Sequence, residues 1–308
     1  MVVFVALLLF LGYGFDRLYL GFGGIPFPVG STFALGFGSL SAWSSYYAGD
    51  RAVLLSSGAV PVEQVGAAAP EEARLEYRQL ENVVEEMSIA AGLPRPKIYI
   101  VPDPDPNAFA TGRDPEHASI AVTQGLLDTL NRDELQGVIA HELSHVRNLD
   151  IRLMTVIAAM VGAAVLISDW TSRGLRFGGG SGGRSRSRDK EGGGLGVVLM
   201  VIWLIAVVLA PIIGQALAMM VSRRREYLAD ASGAELTRNP QALASALAKI
   251  DAAVDPTASI KRGTANLCIA DPLGRSIGLR GGAWANLMAS HPPMAQRIAA
   301  LREMAFTS

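Results

Sequence analysis

Residues 131–150 of this 308-residue chain read NRDELQGVIAHELSHVRNLD and give the strongest indication of its fold. Asn131, followed three residues later by Glu134, forms the sequence pattern of a capping box, which predicts the start of a helix. Apolar residues then recur at helical spacing, so the helix is predicted to continue to about Asn148. The chemistry of the protein is therefore expected to depend on the side chains of this helix.

The predicted helix carries His141-Glu142-Leu143-Ser144-His145, an HExxH pattern. Positions i and i+4 share one helix face, so the imidazoles of His141 and His145 can bind the same metal ion. Zinc accepts nitrogen ligands and keeps one position open for water, and Glu142 can reach that water as a base. The pattern predicts a catalytic zinc site; the alternative is an amphipathic helix whose histidines are merely packed or solvated.

A catalytic zinc site usually has a third protein ligand. The chain offers two further histidines, His117 and His291, and many carboxylates. Glu226 stands out because Asp230 follows it at i+4 within RRREYLAD, and a helix would present both carboxylates on one face. One can bind the metal while the other accepts the N–H of a ligating histidine. The alternative is a solvated acidic pair; His117 is predicted to lie in a surface loop.

The composition indicates that part of the chain lies in lipid. Half of the residues are hydrophobic, 18% are charged and the mean hydropathy is +0.30, whereas soluble proteins carry about 25% charged residues. A net charge of −1 gives no support to a nucleic-acid binder, and the single cysteine excludes a disulfide within the chain. The candidate membrane segments are residues 2–15, 29–47, 153–168 and 195–221.

These segments divide the chain into four parts. Residues 1–49 hold two apolar membrane segments, and residues 50–150 form the first part of a metallopeptidase domain. Residues 151–221 form an apolar hairpin around a Gly/Ser/Arg-rich loop, residues 170–194, which is predicted to be disordered. Residues 222–308 form the second part of the domain. A hairpin that crosses twice places both parts on one side of the membrane.

Periodicity and turn residues predict a mainly helical α+β domain. The predicted elements are helices over Glu71–Ala91, Pro240–Ala253 and Ser290–Leu301, with strands over Lys97–Val101 and Ala118–Thr123. Gly92 is predicted to end the first of these helices. Asn107-Ala108-Phe109 follows a Pro/Asp turn and can enter an edge strand, whose unpaired backbone groups can bind an extended peptide. The alternative is a plain turn followed by a buried Phe109.

HELSH with a downstream ExxxD resembles the gluzincin metallopeptidases. The whole chain resembles the HtpX membrane metalloproteases, relatives of the CAAX prenyl endopeptidases, since NAFATG at Asn107–Gly112 and SHPPMAQRI at Ser290–Ile298 complete the pattern around the apolar hairpin. This resemblance implies a gluzincin-like zinc peptidase domain with a small sheet, split by a membrane hairpin and preceded by transmembrane helices. It implies one Zn²⁺ per chain. The short first segment and the GGGSGGRSRSR tract depart from the family pattern.

The resemblance also implies residue roles. Glu226 is the third zinc ligand, and Asp230 orients His141. His291 lies near the zinc, where it donates to the oxyanion of the tetrahedral intermediate; the alternative is a solvated histidine at a helix start. In addition, the substrate-binding residues implied are Asn107, Ala108, Phe109 and Arg297.

The motifs together predict a membrane-embedded zinc endopeptidase with Glu142 as its general base. The resemblance implies quality control of misfolded or damaged membrane proteins. The alternatives are a CAAX-type processing protease, for which the chain has few apolar segments, and a non-catalytic zinc-stabilised membrane scaffold, which would not need Glu142. A carrier of hydrophobic small molecules is a weaker alternative. The expected partners are membrane-protein or peptide substrates and the lipid bilayer, without nucleic acid.

The location of the protein is implied by the same resemblance: multi-pass in the cell (inner) membrane, with the catalytic domain on the cytoplasmic side. The positive-inside rule does not choose a side, because six basic residues lie in the hairpin loop and six lie beside the apolar segments on the soluble side. If the helices carrying His145 and Glu226 run unbroken into the hairpin, they place the site roughly 12 Å and 8 Å from its ends.

Overall fold

The structure, a computed structural model, describes two compact units of the chain. The residues described are 28–152, 223–253, 268–269 and 292–307, together with Leu9, Tyr13 and Asp16. One unit comprises residues 1–45 and 160–217, and the other comprises residues 46–159 and 218–308. His141, Glu142, His145 and Glu226 all belong to the second unit.

The second predicted membrane segment, residues 29–47, is helical. Helix α1 covers Val29–Ser56 and so continues beyond that segment. Near its start, the Asp16 carboxylate accepts hydrogen bonds from the Ser31 N–H at 2.8 Å and from the Ser31 hydroxyl at 2.6 Å. Among the described residues, no helix combines the length and the apolar character needed to cross a membrane. Outside the described residues lie the predicted segments 153–168 and 195–221, the loop 170–194 and, apart from Leu9 and Tyr13, segment 2–15.

A four-stranded mixed sheet lies in the second unit. Its strands are β1 Val60–Pro61, β2 Lys97–Val101, β3 Ala108–Thr111 and β4 Ser119–Thr123, in the order β1-β2-β4-β3. Strands β2 and β4 are parallel, whereas β3 runs antiparallel to β4 and ends the sheet. The predicted strands β2 and β4 are thus confirmed, and β3 occupies the predicted edge position. Strand β1 has two residues, too few to produce a sequence pattern.

The helices of the second unit include the predicted ones in the predicted order, together with two short helices that were not predicted, over Val62–Ala68 and Gln124–Thr129. They are α2 Val62–Ala68, α3 Glu71–Ala91, α4 Gln124–Thr129, α5 Arg132–Arg147, α6 over residues 223–237, α7 Pro240–Ala252 and α8 Met294–Thr307. Helix α3 ends at Gly92 with a left-handed φ of 67°, as predicted. Helix α8 begins at Met294 rather than at Ser290, because the prolines at 292 and 293 disfavour a helical conformation for the residue before each of them.

The core of this unit lies between the sheet and helices α3, α5, α7 and α8. Fully buried side chains from each layer meet there, including Leu80, Ile120, Leu143 and Leu247. Two glycines let neighbouring helices approach closely. A Cβ on Gly137 of α5 would lie 3.1 Å from Leu243 Cα of α7, and a Cβ on Gly233 of α6 would lie 3.1 Å from His141 N of α5.

Candidate metal centre and active site

Helix α5 begins with the predicted capping box, which the structure confirms. Asn131 Oδ1 accepts from the Glu134 N–H at 3.0 Å, and Glu134 Oε2 accepts from the Asn131 N–H at 2.9 Å. From α7, Lys249 Nζ and Ser245 Oγ donate to the same carboxylate at 2.7 and 2.6 Å. Burial alone would raise the pKa of Glu134, but these hydrogen bonds lower it below its ordinary value. The helix that carries HExxH is therefore anchored at its start.

The structure brings the three predicted metal ligands together. The Nε2 atoms of His141 and His145 lie 3.3 Å apart on one face of α5. Helix α6 presents Glu226, whose Oε2 lies 3.7 Å from His141 Nε2 and whose Oε1 lies 3.5 Å from His145 Nε2. One potential ligand atom from each residue lies within 4.8 Å of the other two. Gly233, two turns along α6, permits the close approach of the helices that this cluster requires.

The geometry of the cluster fits a zinc ion. His141 Nδ1 lies 3.0 Å from Asp230 Oδ1, and His145 Nδ1 lies 3.2 Å from Asp150 Oδ2. A carboxylate only accepts hydrogen bonds, so in the neutral rings that bind a metal it keeps the hydrogen on Nδ1 and leaves the lone pair of each Nε2 for the ion. Two nitrogens bound at 2.0–2.1 Å to a tetrahedral zinc ion lie about 3.3 Å apart. The observed Nε2–Nε2 separation of 3.3 Å agrees with that value.

The charge of the cluster also fits a divalent cation. Four carboxylates and two guanidiniums surround the histidines, and each carboxylate residue is no more than 5% exposed; these groups belong to Glu142, Asp150, Glu226, Asp230, Arg225 and Arg297. With every carboxylate ionised and both histidines neutral, as metal ligands must be, two negative charges are not balanced within this group. Buried charges in proteins are paired or coordinate metals. A Zn²⁺ ion supplies the missing charge.

Glu142 has the properties of a proton acceptor at neutral pH. Burial raises the pKa of its carboxyl group to about 7, against the opposing effects of His145 and of a backbone hydrogen bond from Ala110. Its Oε2 atom is buried and, among the residues that the structure describes, has no hydrogen-bond partner. A catalytic acid or base works best when its pKa lies near the operating pH. This carboxylate is therefore suited to exchange a proton with a bound molecule.

The titration of the two histidines differs. Burial lowers the pKa of His141. Burial would also lower the pKa of His145, but the hydrogen bond with Asp150 and the charges of Glu226 and Glu142 raise it to about 9. Both shifts describe the cluster without an ion. A metal ligand must be the neutral imidazole, so binding at His145 displaces a proton.

The structure corrects the prediction that Arg297 binds substrate. Its side chain is completely buried beneath the metal ligands. Nε and Nη2 donate to the two carboxylate oxygens of Asp230 at 2.8 and 2.7 Å, and Nη1 donates to the Ile269 carbonyl at 2.9 Å. Nη1 also lies 3.2 Å from Glu226 Oε2. This fork leaves no surface for a substrate and instead fixes both carboxylates of α6.

Strand β3 holds the predicted peptide-binding residues, and its outer edge is partly occupied. Asn107 is buried, with its N–H donating to Thr123 Oγ1 at 2.8 Å, and Phe109 is buried in the core. On the outer side, the Ala108 carbonyl accepts from the Ile269 N–H at 2.9 Å. A peptide strand added at Ala108 would therefore compete with Ile269 for this carbonyl.

The remaining candidates lie away from the cluster or outside the described residues. His117 ends a short 3₁₀ helix, Pro115–His117, where its exposed ring contacts Asp114 at 2.6 Å, which agrees with the predicted surface loop. His291 lies outside the described residues, so its role stays a prediction. Sequence reasoning missed Asp150, although it lies five residues after His145 in the decisive stretch.

An HExxH helix joined to a carboxylate from a second helix, with a buried glutamate beside them, defines a metallopeptidase. Sequence comparison identifies the family. The chain belongs to peptidase family M48, whose sequence profile matches residues 74–305. The predicted resemblance to HtpX-type metalloproteases is thereby confirmed at the level of the family.

Relatives match nearly the whole chain. It is 42% identical over 303 residues to the Protease HtpX homolog of Caldanaerobacter subterraneus subsp. tengcongensis, covering 98% of this chain and 92% of that protein. It is 45% identical over 262 residues to the Protease HtpX homolog of Thermoanaerobacter pseudethanolicus, covering 85% and 80%. Its fold is similar to the crystal structure of S. mikatae Ste24p, with a TM-score of 0.52 at 18% identity. That match covers 96% of this chain and 62% of the length of Ste24p.

Proposed function

We propose that this chain is a zinc-dependent endopeptidase embedded in a membrane, where it cleaves membrane proteins. The observation that carries the proposal is the convergence of His141 Nε2, His145 Nε2 and the Glu226 carboxylate next to the buried Glu142. Membership of family M48 supports peptide hydrolysis. The apolar segments of the sequence support a membrane location.

The residues divide the reaction between them. His141, His145 and Glu226 would hold the zinc ion. Zinc, when bound, lowers the pKa of water and polarises a peptide carbonyl. Glu142, buried beside the three proposed ligands, accepts the proton of the attacking water and later delivers it to the leaving amine. The Ala110 N–H orients the Glu142 carboxylate by a backbone hydrogen bond.

Substrate binding is proposed along the outer edge of β3. Asn107, Ala108 and Phe109 lead into this edge, where an extended peptide would take the place of Ile269 at the Ala108 carbonyl. A folded segment cannot offer its backbone in this way, which supports unfolded or damaged proteins as substrates. His291 is proposed to donate to the oxyanion of the tetrahedral intermediate.

The proposed location is the inner membrane, with the catalytic domain on the cytoplasmic side. Quality control of misfolded or damaged membrane proteins is proposed from the resemblance to HtpX-type proteases. A membrane substrate with unfolded segments both near to and far from its spans tests the location. We expect cleavage sites within a few residues of the spans; cuts spread evenly through the distant segments would contradict a site at the membrane surface.

The enzyme proposal is tested by Glu142→Gln in the full chain, purified in detergent and loaded with zinc. The amide cannot accept the proton, so peptidase activity should fall by about 10²-fold or more while the zinc content stays at one ion per chain. Asp133→Asn is the matched control, because it makes the same chemical change at an exposed position on the same helix. A zinc-loaded Glu142→Gln variant that cleaves at the rate of the control would refute the mechanism.

A further inference from the structure

The two histidine ligands have parallel surroundings. His141 Nδ1 faces Asp230, and Asp230 is held by Arg297 at 2.7 and 2.8 Å. His145 Nδ1 faces Asp150 at 3.2 Å, and Asp150 Oδ1 lies 3.0 Å from Arg225 Nη1. Each imidazole is thus backed by a carboxylate, and each carboxylate by an arginine. The Asp230 half of this arrangement was predicted from the sequence; the Asp150 half was not.

Asp150 reaches His145 only because helix α5 ends between them. On a continuous helix, a residue at i+5 is rotated by about 140° from residue i, so its side chain points away. Instead, α5 ends at Arg147, and a new helical turn begins at Asp150. This corrects the expectation of an unbroken helix from His145 into the apolar hairpin, because α5 ends at Arg147 and two turn residues precede Asp150.

The break depends on one unusual backbone conformation. Leu149 has φ 59°, a left-handed value that L residues with large side chains rarely adopt. Its side chain is 45% exposed, so burial of the leucine does not account for the conformation. Backbone strain of this kind persists where surrounding contacts over-determine it. The next residue, Asp150, makes such contacts, because its carboxylate lies against His145 and Arg225.

We propose that Asp150 is a positioning residue for His145, placed by the left-handed turn at Leu149 and held by Arg225. The inference rests on the proposed function, in which His145 binds zinc. The Asp150 carboxylate fixes the ring orientation and keeps the hydrogen on Nδ1, which leaves Nε2 free for the metal. Because Arg225 directly precedes Glu226 on α6, one helical turn supplies the third ligand and also anchors the support of the second.

Zinc release from the full-length protein tests this proposal. Zinc-loaded protein is mixed with a chromogenic chelator, and the dissociation rate and affinity are measured. Asp150→Ala should weaken zinc binding by about 10- to 100-fold, the usual effect of losing such a support. Asp150→Asn keeps an oxygen that accepts from Nδ1–H, so its zinc affinity should lie between those of the wild type and Asp150→Ala.

Arg225→Gln provides an independent variant that leaves Asp150 in place. It should weaken zinc binding on its own but have no further effect when combined with Asp150→Ala, because the two residues act through one contact. Arg224→Gln is the matched control, since it removes the same charge from the neighbouring, exposed position. Equal zinc release from Arg225→Gln and Arg224→Gln would overturn the role given to Arg225.

The turn is tested at Leu149. Glycine adopts a left-handed conformation without steric cost, so Leu149→Gly should keep the zinc affinity of the wild type. Leu149→Val should lose it, because a β-branched residue strongly disfavours this φ. Loading each variant with Co²⁺ gives a visible absorption spectrum that reports ligand geometry. We expect this spectrum to change in Leu149→Val and Asp150→Ala but not in Leu149→Gly.

His145→Ala distinguishes a failure of the proposed metal site from a failure of the positioning role given to Asp150. If His145→Ala retains full zinc affinity, the proposed metal site is wrong. If His145→Ala loses zinc while Asp150→Ala and Asp150→Asn release it at the wild-type rate, the site stands and the positioning role of Asp150 is refuted. A lower unfolding temperature in Asp150→Ala with unchanged zinc release and an unchanged Co²⁺ spectrum would show a structural role only and would equally refute it.

Discussion

Gly233→Ala should weaken zinc binding although Gly233 contacts no ligand atom of the metal site. A Cβ at this position would lie 3.1 Å from His141 N, 3.2 Å from His141 Cα and 3.4 Å from Ala140 C. All three are backbone atoms of α5, so no side chain can move aside to relieve the contact. Helix α6 must retreat by a few tenths of an ångström, and it carries Glu226 with it.

The size of the expected loss of zinc affinity follows from the narrow range of zinc–ligand distances. Zinc–ligand distances vary within about 0.2 Å of their ideal values, so a retreat of this size has to be reversed when the ion binds. Overpacking of a well-packed interior typically costs about 1–3 kcal/mol. If zinc binding restores the close approach of the helices, the free energy of zinc binding becomes less favourable by this amount. The zinc affinity then falls by about 5- to 140-fold.

Gly137→Ala is the matched control. Its Cβ would meet Leu243 Cα and N at 3.1 Å each, a clash of the same size between α5 and α7, and it leaves the contact between α5 and α6 that sets the position of Glu226 unchanged. Both variants gain similar helix propensity, so that contribution cancels. The assay compares zinc affinity by chelator competition with unfolding temperature in both variants. Equal zinc affinity in Gly233→Ala and Gly137→Ala at equal loss of stability would refute the reasoning.

Further predictions concern the ligands and the start of the metal-binding helix. Glu226→Ala should lower zinc content and peptidase activity together, and a stoichiometric, tightly bound zinc ion in this variant would move the third ligand elsewhere. Asp230→Asn should weaken zinc binding by about 10- to 100-fold, measured by the same chelator competition, since it supports a ligand without being one. Glu134→Gln should lower the unfolding temperature at pH 7. Because folding lowers the pKa of Glu134, its ionised carboxylate stabilises the folded protein at pH values above the ordinary pKa of 4.5. This stabilisation is lost as the pH falls through the pKa of the folded state. The difference in unfolding temperature between Glu134→Gln and the wild type should therefore shrink in acid.

The parts of the site that could be predicted are those set by spacing within one helix. The capping box at Asn131 and the i, i+4 spacing of His141 and His145 are local features, and the structure reproduces both. The same spacing identified Glu226 and Asp230 as a pair on one face, although they lie more than 80 residues further along the chain. What spacing cannot supply is the distance between the helices, which depends on Gly233 meeting the backbone of α5.

Contacts that depend on an unusual backbone or on distant segments escaped prediction. Nothing in the side chain of Leu149 favours a positive φ. The sequence therefore contains no pattern that predicts the turn by which Asp150 reaches His145. The pairing of Phe109 with Cys268 joins segments separated by more than 150 residues. Neither segment has a sequence pattern that predicts the other as its partner. The edge of β3 was therefore predicted correctly, while its partial occupation by Ile269 was not.

The position of Arg297 shows how charge balance can extend such reasoning. The i, i+4 spacing of Glu226 and Asp230 predicted two carboxylates on one face of a helix, with Glu226 as the metal ligand. A buried second carboxylate then needs a cation of its own, because an unpaired buried charge is strongly destabilising. Arg297 fills that need: burial would raise the pKa of Asp230, but the guanidinium lowers it to about 2. An arginine in the last helix is thus explained by the acidic pair of α6, because the second carboxylate of that pair requires a buried cation and Arg297 supplies it.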